Sequence, residues 1–115
     1  MMKMSNNFYG TLGLASRARK IVDGETLIQS IRAKKVHFVI IANDASENTK
    51  KKITDKCKTY HVDYVIYSDS IALSNAIGKD NRVAIGIIDS GFSKKIKNEI
   101  GRWYYGKAEE KSKRK

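Results

Sequence analysis

Cys57 and His61 stand four residues apart, a spacing that would put a thiol and an imidazole on one helix face and could make a nucleophile and its base. Cys57 also falls in the series Ile53, Cys57, Tyr60 at i, i+4, i+7. Free cysteine is among the most buried residue types, so filling the core is the stronger expectation for it. One Cys and two His cannot supply the four N/S ligands of a zinc site. Asp44, Asp69 and Asp89 each stand near the end of an apolar run, and clustered carboxylates could hold Mg²⁺. No spacing motif links them, and each is equally suited to capping a helix or shaping a turn. Neither GxGxxG after a strand nor GxxxxGK[ST] occurs. No catalytic, metal or cofactor site is expected.

Charge is the stronger signal. The 115 residues carry 23 Lys+Arg against 12 Asp+Glu, a formal net charge of +11. A polyanion is the natural partner, and RNA, DNA or an anionic membrane surface would each satisfy that. The run Lys50-Lys51-Lys52 reads either as a solvated helix face or as phosphate contacts, and the whole-chain excess raises the second reading. A membrane partner is set aside, because the longest apolar run, residues 38–42, is far below the roughly 18 residues a spanning helix requires. The start, MMKMSNN, leads into no apolar segment of the kind a secretory signal has. A single cysteine fits a reducing compartment, so the protein is expected to be cytoplasmic. With 41% hydrophobic and 30% charged residues, no proline and no repeat, the chain is expected to form one soluble globular domain.

Alternating helices and strands are needed to position these residues. Ser5, Asn6 and Asn7 can cap a first helix with Phe8, Leu12 and Ala15 along one side and a basic end at residues 17–20. A short strand over 20–22 is broken by Asp23-Gly24, and 25–33 reads as a helix with Leu27, Ile28 and Ile31 inward. The run HFVIIA at 37–42 has the pattern of a central strand covered on both faces. Ser46 caps the next helix, where Lys50, Lys51, Lys52, Lys56 and Lys58 mostly face solvent and Glu47 is placed to pair with Lys51 at i+4. A strand at 62–67 follows. Ser68 or Asp69 then caps a short helix with Leu73, Ala76 and Ile77 inward, stopped by Gly78. The segment VAIGIID at 83–89 is another buried strand, and Asp89 or Ser90 starts a last helix with Phe92, Ile96, Ile100 and Trp103 at i, i+4, i+8, i+11. Residues 107–115, KAEEKSKRK, read as a basic disordered tail. The fold class expected is α/β: a three-layer α-β-α sandwich with a small four-stranded mixed sheet, in a single domain over residues 1–106.

In open sheets function collects where strands end and helices begin. Those places are Asp23-Gly24-Glu25, residues 43–46 and Asp89-Ser90-Gly91, with the exposed turn GKDNR at 78–82 beside them. A helix start offers unpaired N–H groups and positive dipole, which suits a phosphate or a base edge without any catalytic residue. Basic residues recur beside these places: Arg17, Arg19 and Lys20; Lys34 and Lys35; Lys79 and Arg82; Lys94, Lys95 and Lys97.

The segments KIVDGETLIQSI, HFVIIANDASENTKKKITDKC and VIYSDSIALSNAIGKDNRVAI, in that order, resemble the small ribosomal proteins of the L-seven-Ae and L-thirty-e superfamily, specifically its bacterial YlxQ-like branch. The likeness runs from residue 8 to about residue 100, and the blocks ANDAS, NTKKKI and AIGK are specific to that branch. It implies an α-β-α sandwich and binding of structured RNA, typically at kink-turns, sharply bent junctions stabilised by tandem sheared G·A pairs. In the family a G-x-N-E-x-x-K motif at a strand-to-helix junction reads those pairs in the major groove. Gly24 matches the glycine, and its missing side chain would let backbone approach the bases. The family Asn falls at Thr26, the Glu at Leu27 and the Lys at Ser30. Leucine cannot accept from guanine and serine cannot reach a phosphate as lysine does, so weaker base readout is implied here. Glu25 or Gln29 are the implied substitutes, with Lys20 supplying the phosphate contact. A second contact region maps to Asn43, Asp44 and Ser46, beside an unstacked nucleotide. A third maps to Lys79, Asp80, Asn81 and Arg82, a loop that is apolar or mixed in the family and charged here, implying more phosphate contact and less stacking.

The resemblance implies a non-catalytic, ribosome-associated RNA binder, a monomer, with a kink-turn or ribosomal RNA as partner and ribosomal proteins beside it. The alternative is a protein-interaction or assembly module without specific RNA recognition, whose positive charge merely tolerates ribosomal surroundings.

Overall fold

The tetrapeptide FVII of β2 (Phe38–Ile41) is buried at every position, so helices must cover the sheet on both faces. The computed structural model describes residues 4–101, in the order α1 (Met4–Arg17), β1 (Ile21–Asp23), α2 (Gly24–Arg32), β2, α3 (Glu47–Tyr60), β3 (Asp63–Ile66), α4 (Ser70–Ile77), β4 (Ala84–Ile87) and α5 (Ser90–Ile100). The expected helical position of Trp103 and the tail at 107–115 lie outside the described residues.

The sheet is four-stranded and mixed, in the order β1-β4-β2-β3. Strand β2 pairs parallel with β3 and antiparallel with β4, and β4 pairs antiparallel with β1. Consequently β1, β2 and β3 point one way and β4 points against them. Successive strand residues face opposite layers. Phe38 and Ile40 pack with Phe8 and Leu12 of α1, Leu73 and Ile77 of α4, and Ile96 and Ile100 of α5. Val39 and Ile41 pack with Leu27 and Ile31 of α2 and Ile53 and Cys57 of α3. The result is the expected three-layer α-β-α sandwich.

Local chemistry sets the helix starts. The side chains of Ser46, Asp69 and Asp89 accept hydrogen bonds from the N–H groups of Thr49, Ala72 and Phe92, satisfying donors that a helix start leaves open. At the other ends, α1 to α4 share one closure. The N–H of a left-handed residue bonds three residues back, and the next N–H bonds five back, at Arg19 and Lys20, Lys34 and Lys35, His61 and Val62, and Gly78 and Lys79. Only the last of these uses glycine at the left-handed position; Arg19, Lys34 and His61 hold φ of 62°, 59° and 57° at a cost of about 1 kcal/mol each.

The strands expected at 37–42, 62–67 and 83–89 prove shorter, at Phe38–Ile41, Asp63–Ile66 and Ala84–Ile87, and the helix expected at 25–33 runs over Gly24–Arg32. Two further boundaries differ for a clear reason. Ser5, Asn6 and Asn7 lie inside α1, because helical hydrogen bonding propagates a turn back from the buried stripe that begins at Phe8. Strand β1 covers 21–23 and not 20–22, because Asp23 is still in register with Ile85 of β4.

Gly86 decides how closely α2 approaches. A Cβ there would stand 2.7 Å from Leu27 Cδ1, 3.1 Å from Val36 Cγ1 and 3.2 Å from Val22 Cγ2. Two of those three neighbours are β-branched and stiff. Gly86→Ala should therefore destabilise the protein by about 1–3 kcal/mol, read as a lower denaturant midpoint at unchanged slope. An unaltered midpoint would mean that α2 yields without cost.

Candidate functional site

Because β1, β2 and β3 run one way, their ends and the start of β4 share one edge of the sheet. Asp23 is in register with Ile85, and Ile41 with both Ala84 and Ile66. The Gly24 junction, segment 43–46 and turn 78–82 therefore converge. Helix α4 leaves β3 and returns to β4 at this same end. The junction at Asp89 comes off the opposite end, because β4 runs against its neighbours. Lys20 also stands there: it precedes β1, and its carbonyl accepts from Ile88 N–H at 2.9 Å.

Gly24 opens α2 at φ 61° with open space where a Cβ would be. Immediately before it, the Asp23 carboxylate takes Lys79 Nζ at 3.4 Å and Arg82 Nε at 3.3 Å. The Arg82 contact is electrostatic, since Nε makes no hydrogen bond. Ser74, buried on α4, grips the same turn: its hydroxyl accepts from Arg82 N–H at 2.8 Å and stands 3.3 Å from the Arg82 carbonyl. Lys79 and Arg82, which the resemblance maps to phosphate contact, are thus both partnered by Asp23 while their side chains stay partly exposed. Asp80 and Asn81 remain exposed at the tip, Asn81 at a left-handed φ of 54°.

Segment 43–46 is tied down in the same way. Asp44 accepts from Ser70 N–H at 2.8 Å and from Ser70 Oγ at 2.7 Å, and these bonds hold its carboxyl below the usual carboxylate range. With Asp69 it places two carboxylates at the positive start of α4. Asn43 N–H donates to the Ser68 carbonyl, and the Ser46 hydroxyl is occupied with Thr49. Asp44 and Ser46 therefore shape the backbone, while the Asn43 side chain is exposed.

Between α2, α3 and residues 81–84 lies a groove of about 330 Å³. Gly24, Glu25, Thr49, Lys52, Asn81 and Arg82 border it, over the apolar Leu27, Ile28, Ile53 and Val83. Thr26 and Glu25 are exposed, whereas Leu27 and Ser30 are 2% and 8% exposed on the inward face of α2. Lys52 belongs to the lysine run already read as candidate phosphate contacts, whereas the groove's wall at Val83, and the clasp by Asp23 and Ser74, were not foreseen. Each depends on contacts between segments distant in sequence, and only the place of Asp23 beside the glycine hinted at one of them. The lysine run is partly committed too: Glu47 pairs at 3.6 Å with Lys50 at i+3, not with Lys51, leaving Lys51 and Lys52 exposed.

The thiol and imidazole of α3 are set apart. Cys57 is fully buried in the α3 stripe, and burial first, then the nearby Asp63 charge, push its thiol up to about 12. His61 closes α3 from the exposed side. Among the described residues no three His, Cys, Asp or Glu side chains group in a way that could hold a metal ion.

The family model described as "Ribosomal protein L7Ae/L30e/S12e/Gadd45 family" matches residues 6–97. The chain is 44% identical over 90 residues to the RNA-binding protein YlxQ of Bacillus subtilis (strain 168), covering 77% of this chain and 90% of that one. It is 47% identical over 90 residues to the RNA-binding protein YlxQ of Enterococcus faecium, covering 77% and 86%. Among solved structures it superposes on a Bacillus halodurans protein described as of unknown function with a TM-score of 0.78 and 39% identity, over 81% of this chain and 95% of that one. A Giardia lamblia 15.5kD RNA binding protein shares the fold at a TM-score of 0.69 and 18% identity, over 89% and 88%.

Two outcomes are expected of the ties. Asp23→Asn should speed amide hydrogen exchange across residues 78–82, and unchanged protection would mean that Ser74 alone orders the turn. Asp44, with its folded pKa depressed, stabilises the protein above its unfolded pKa of about 3.9 and loses that contribution as pH falls through the folded value. The Tm gap between wild type and Asp44→Asn should therefore close as pH falls below 4, and a gap that persists would assign the effect to geometry rather than charge.

Proposed function

We propose that this chain, which belongs to the ribosomal protein L7Ae/L30e/S12e/Gadd45 family, binds structured RNA without catalysing a reaction on it. The observation that carries this reading is the convergence of the Gly24 junction, segment 43–46 and turn 78–82 at one end of the sheet, with a groove opening between the Gly24 junction, α3 and residues 81–84. The names of its relatives as RNA-binding proteins support it.

The finer reading is recognition of a kink-turn. An RNA bent at a junction presents splayed nucleotides and displaced base edges, which loops at the end of a sandwich can meet and a helical duplex does not offer. Gly24 brings bare backbone and the open N–H groups of α2 to the surface. Glu25 and Asn81 supply polar groups at the border of the apolar groove floor, and Thr26 and Asn43 are exposed at the same end. Lys51 and Lys52 add long-range attraction from the flank. With Leu27 and Ser30 turned inward, readout shifts from their side chains to backbone and to these neighbours. A cytoplasmic, ribosome-associated monomer, with ribosomal RNA and ribosomal proteins around it, completes the proposal.

A titration against a kink-turn RNA and against a matched RNA with Watson–Crick pairs in place of the G·A pairs tests it. The kink-turn should bind at least about tenfold tighter, a difference of about 1.4 kcal/mol. Lys51→Gln with Lys52→Gln should weaken both RNAs alike and reduce the salt slope by about 1–2. Gly24→Ala should weaken the kink-turn selectively, because a side chain would fill the open space through which RNA approaches the backbone at the start of α2. Equal affinity for both RNAs would overturn kink-turn recognition, and absence of binding at low salt would overturn RNA binding itself.

A further inference from the structure

The net positive charge of the described residues is not gathered at the converging loops. Asp23, Glu25, Asp44, Glu47, Asp69 and Asp80 all stand at or beside that end, and Lys50, Lys79 and Arg82 are paired with carboxylates there. Apart from Lys51 and Lys52 on the flank of the loops, a larger set of cations without ion pairs lies at the opposite end of the sheet, where α1, α2 and α3 finish and β1, β2 and β3 begin. Arg19 and Lys20 form the first turn, Arg32, Lys34 and Lys35 the second, and Lys58 stands in the last turn of α3 beside the third. None of the six makes an ion pair among the described residues. The carboxylates at that end are already engaged, Asp63 by Lys97 at 2.7 Å and Asp89 as the cap of α5.

Helix dipoles account for part of this. A helix C-terminus carries about half a negative charge and favours one cation nearby. The first two of these turns carry two or three, so the end as a whole stays strongly positive after the dipoles are met. Two of the cations also sit where the backbone would take glycine more readily: Arg19 at φ 62° and Lys34 at φ 59°. Keeping a long charged side chain at a left-handed position costs conformational energy that glycine would not, which is understandable if the charge has a partner. The first strand of the row and the last are three strand spacings apart, about 14 Å, a width over which a duplex presents several phosphates.

We infer that this opposite end is a second RNA-binding surface, which takes the phosphate backbone of a plain double-stranded segment while the converging loops hold a bent junction. The chain then joins two RNA segments through a rigid body whose shortest extent is 27 Å. It recognises the second segment by charge, without reading its sequence. This inference rests on the proposed RNA binding, but only for the class of its partner.

The test loads the protein with kink-turn RNA and titrates in a labelled 20-base-pair RNA duplex without a kink. Wild type should capture the duplex at low salt and release it as salt rises. The variant Arg32→Gln/Lys34→Gly/Lys35→Gln should bind kink-turn RNA as wild type does, keep or raise its Tm because Lys34→Gly relieves a left-handed residue, and lose at least about tenfold in duplex capture, with the salt slope lower by about 2–3. A second variant in another turn, Arg19→Gly/Lys20→Gln, should weaken capture in the same direction. Capture unchanged in both variants, or no second duplex taken up by wild type, would overturn the inference while leaving the junction site standing. Loss of capture by the variants with no kink-turn preference in wild type would keep this surface and overturn the kink-turn reading instead. Displacement of the duplex by far lower charge-equivalents of polyglutamate than of unlabelled duplex would assign the surface to an acidic polypeptide and overturn the inference too.

Discussion

The common direction of β1, β2 and β3 governs nearly everything else in this molecule. Each of these strands is preceded by a helix or its turn at one end and released at the other, so the starts of α2, α3 and α4 and the finishes of α1, α2 and α3 are sorted to opposite ends of the sheet. The electrostatics follow. Carboxylates and hydroxyls collect where α2, α3 and α4 begin, because open N–H groups need acceptors; cations collect where α1, α2 and α3 end, because open carbonyls favour them. A chain whose overall charge is strongly positive therefore presents a nearly balanced, densely hydrogen-bonded loop cluster at one end and an uncompensated cationic surface at the other.

That balance changes how the converging loops must work. A site made of free lysines would attract any polyanion and discriminate little. Here the charged groups mostly hold one another: Asp23 restrains Lys79 and Arg82, Asp44 restrains Ser70, and Ser46 restrains Thr49. What they leave exposed is shape and backbone: the bare Gly24, the groove over Leu27 and Ile53, and the polar tips at Asn43 and Asn81. Gly86 contributes from beneath, since its bare Cα lets Leu27 settle against β4 and so sets the depth of the groove floor. A surface built this way offers form more than charge.

How much of this the sequence disclosed depended on range. Ser46 and Gly78 declared their helix boundaries, and Ser68 or Asp69 and Asp89 or Ser90 narrowed two more to a pair in which the aspartate proved the cap, because capping is settled within three or four residues. HFVIIA and VAIGIID declared buried strands because no alternative element could hide so many branched side chains in so short a run. The element order and the resemblance of three segments then led to the sandwich and to the Gly24 junction. Other features lay beyond that range. Nothing local distinguishes Arg82 free from Arg82 bound to Asp23, or Glu47 paired with Lys50 from Glu47 paired with Lys51. The assignment of Leu27 and Ser30 to contact positions followed family spacing, whereas their burial follows the helical phase set by Ile31. Lys20 looked close to Gly24 because four residues separate them, yet β1 runs the length of the sheet between them.

The clasp of Asp23 and Ser74 on turn 78–82 carries one more implication, for the thermodynamics of association. A turn fixed by a buried hydroxyl and two ion pairs has already lost most of its freedom, so little chain ordering remains for the moment of contact. The protein enters the complex nearly as it leaves it. Whatever bending, unstacking or counterion rearrangement accompanies the encounter must then occur in the other molecule, and the heat-capacity change of binding becomes chiefly a property of that partner's folding. The protein acts as a mould: its own heat signature is small, and partners are ranked by the work each needs to fit it.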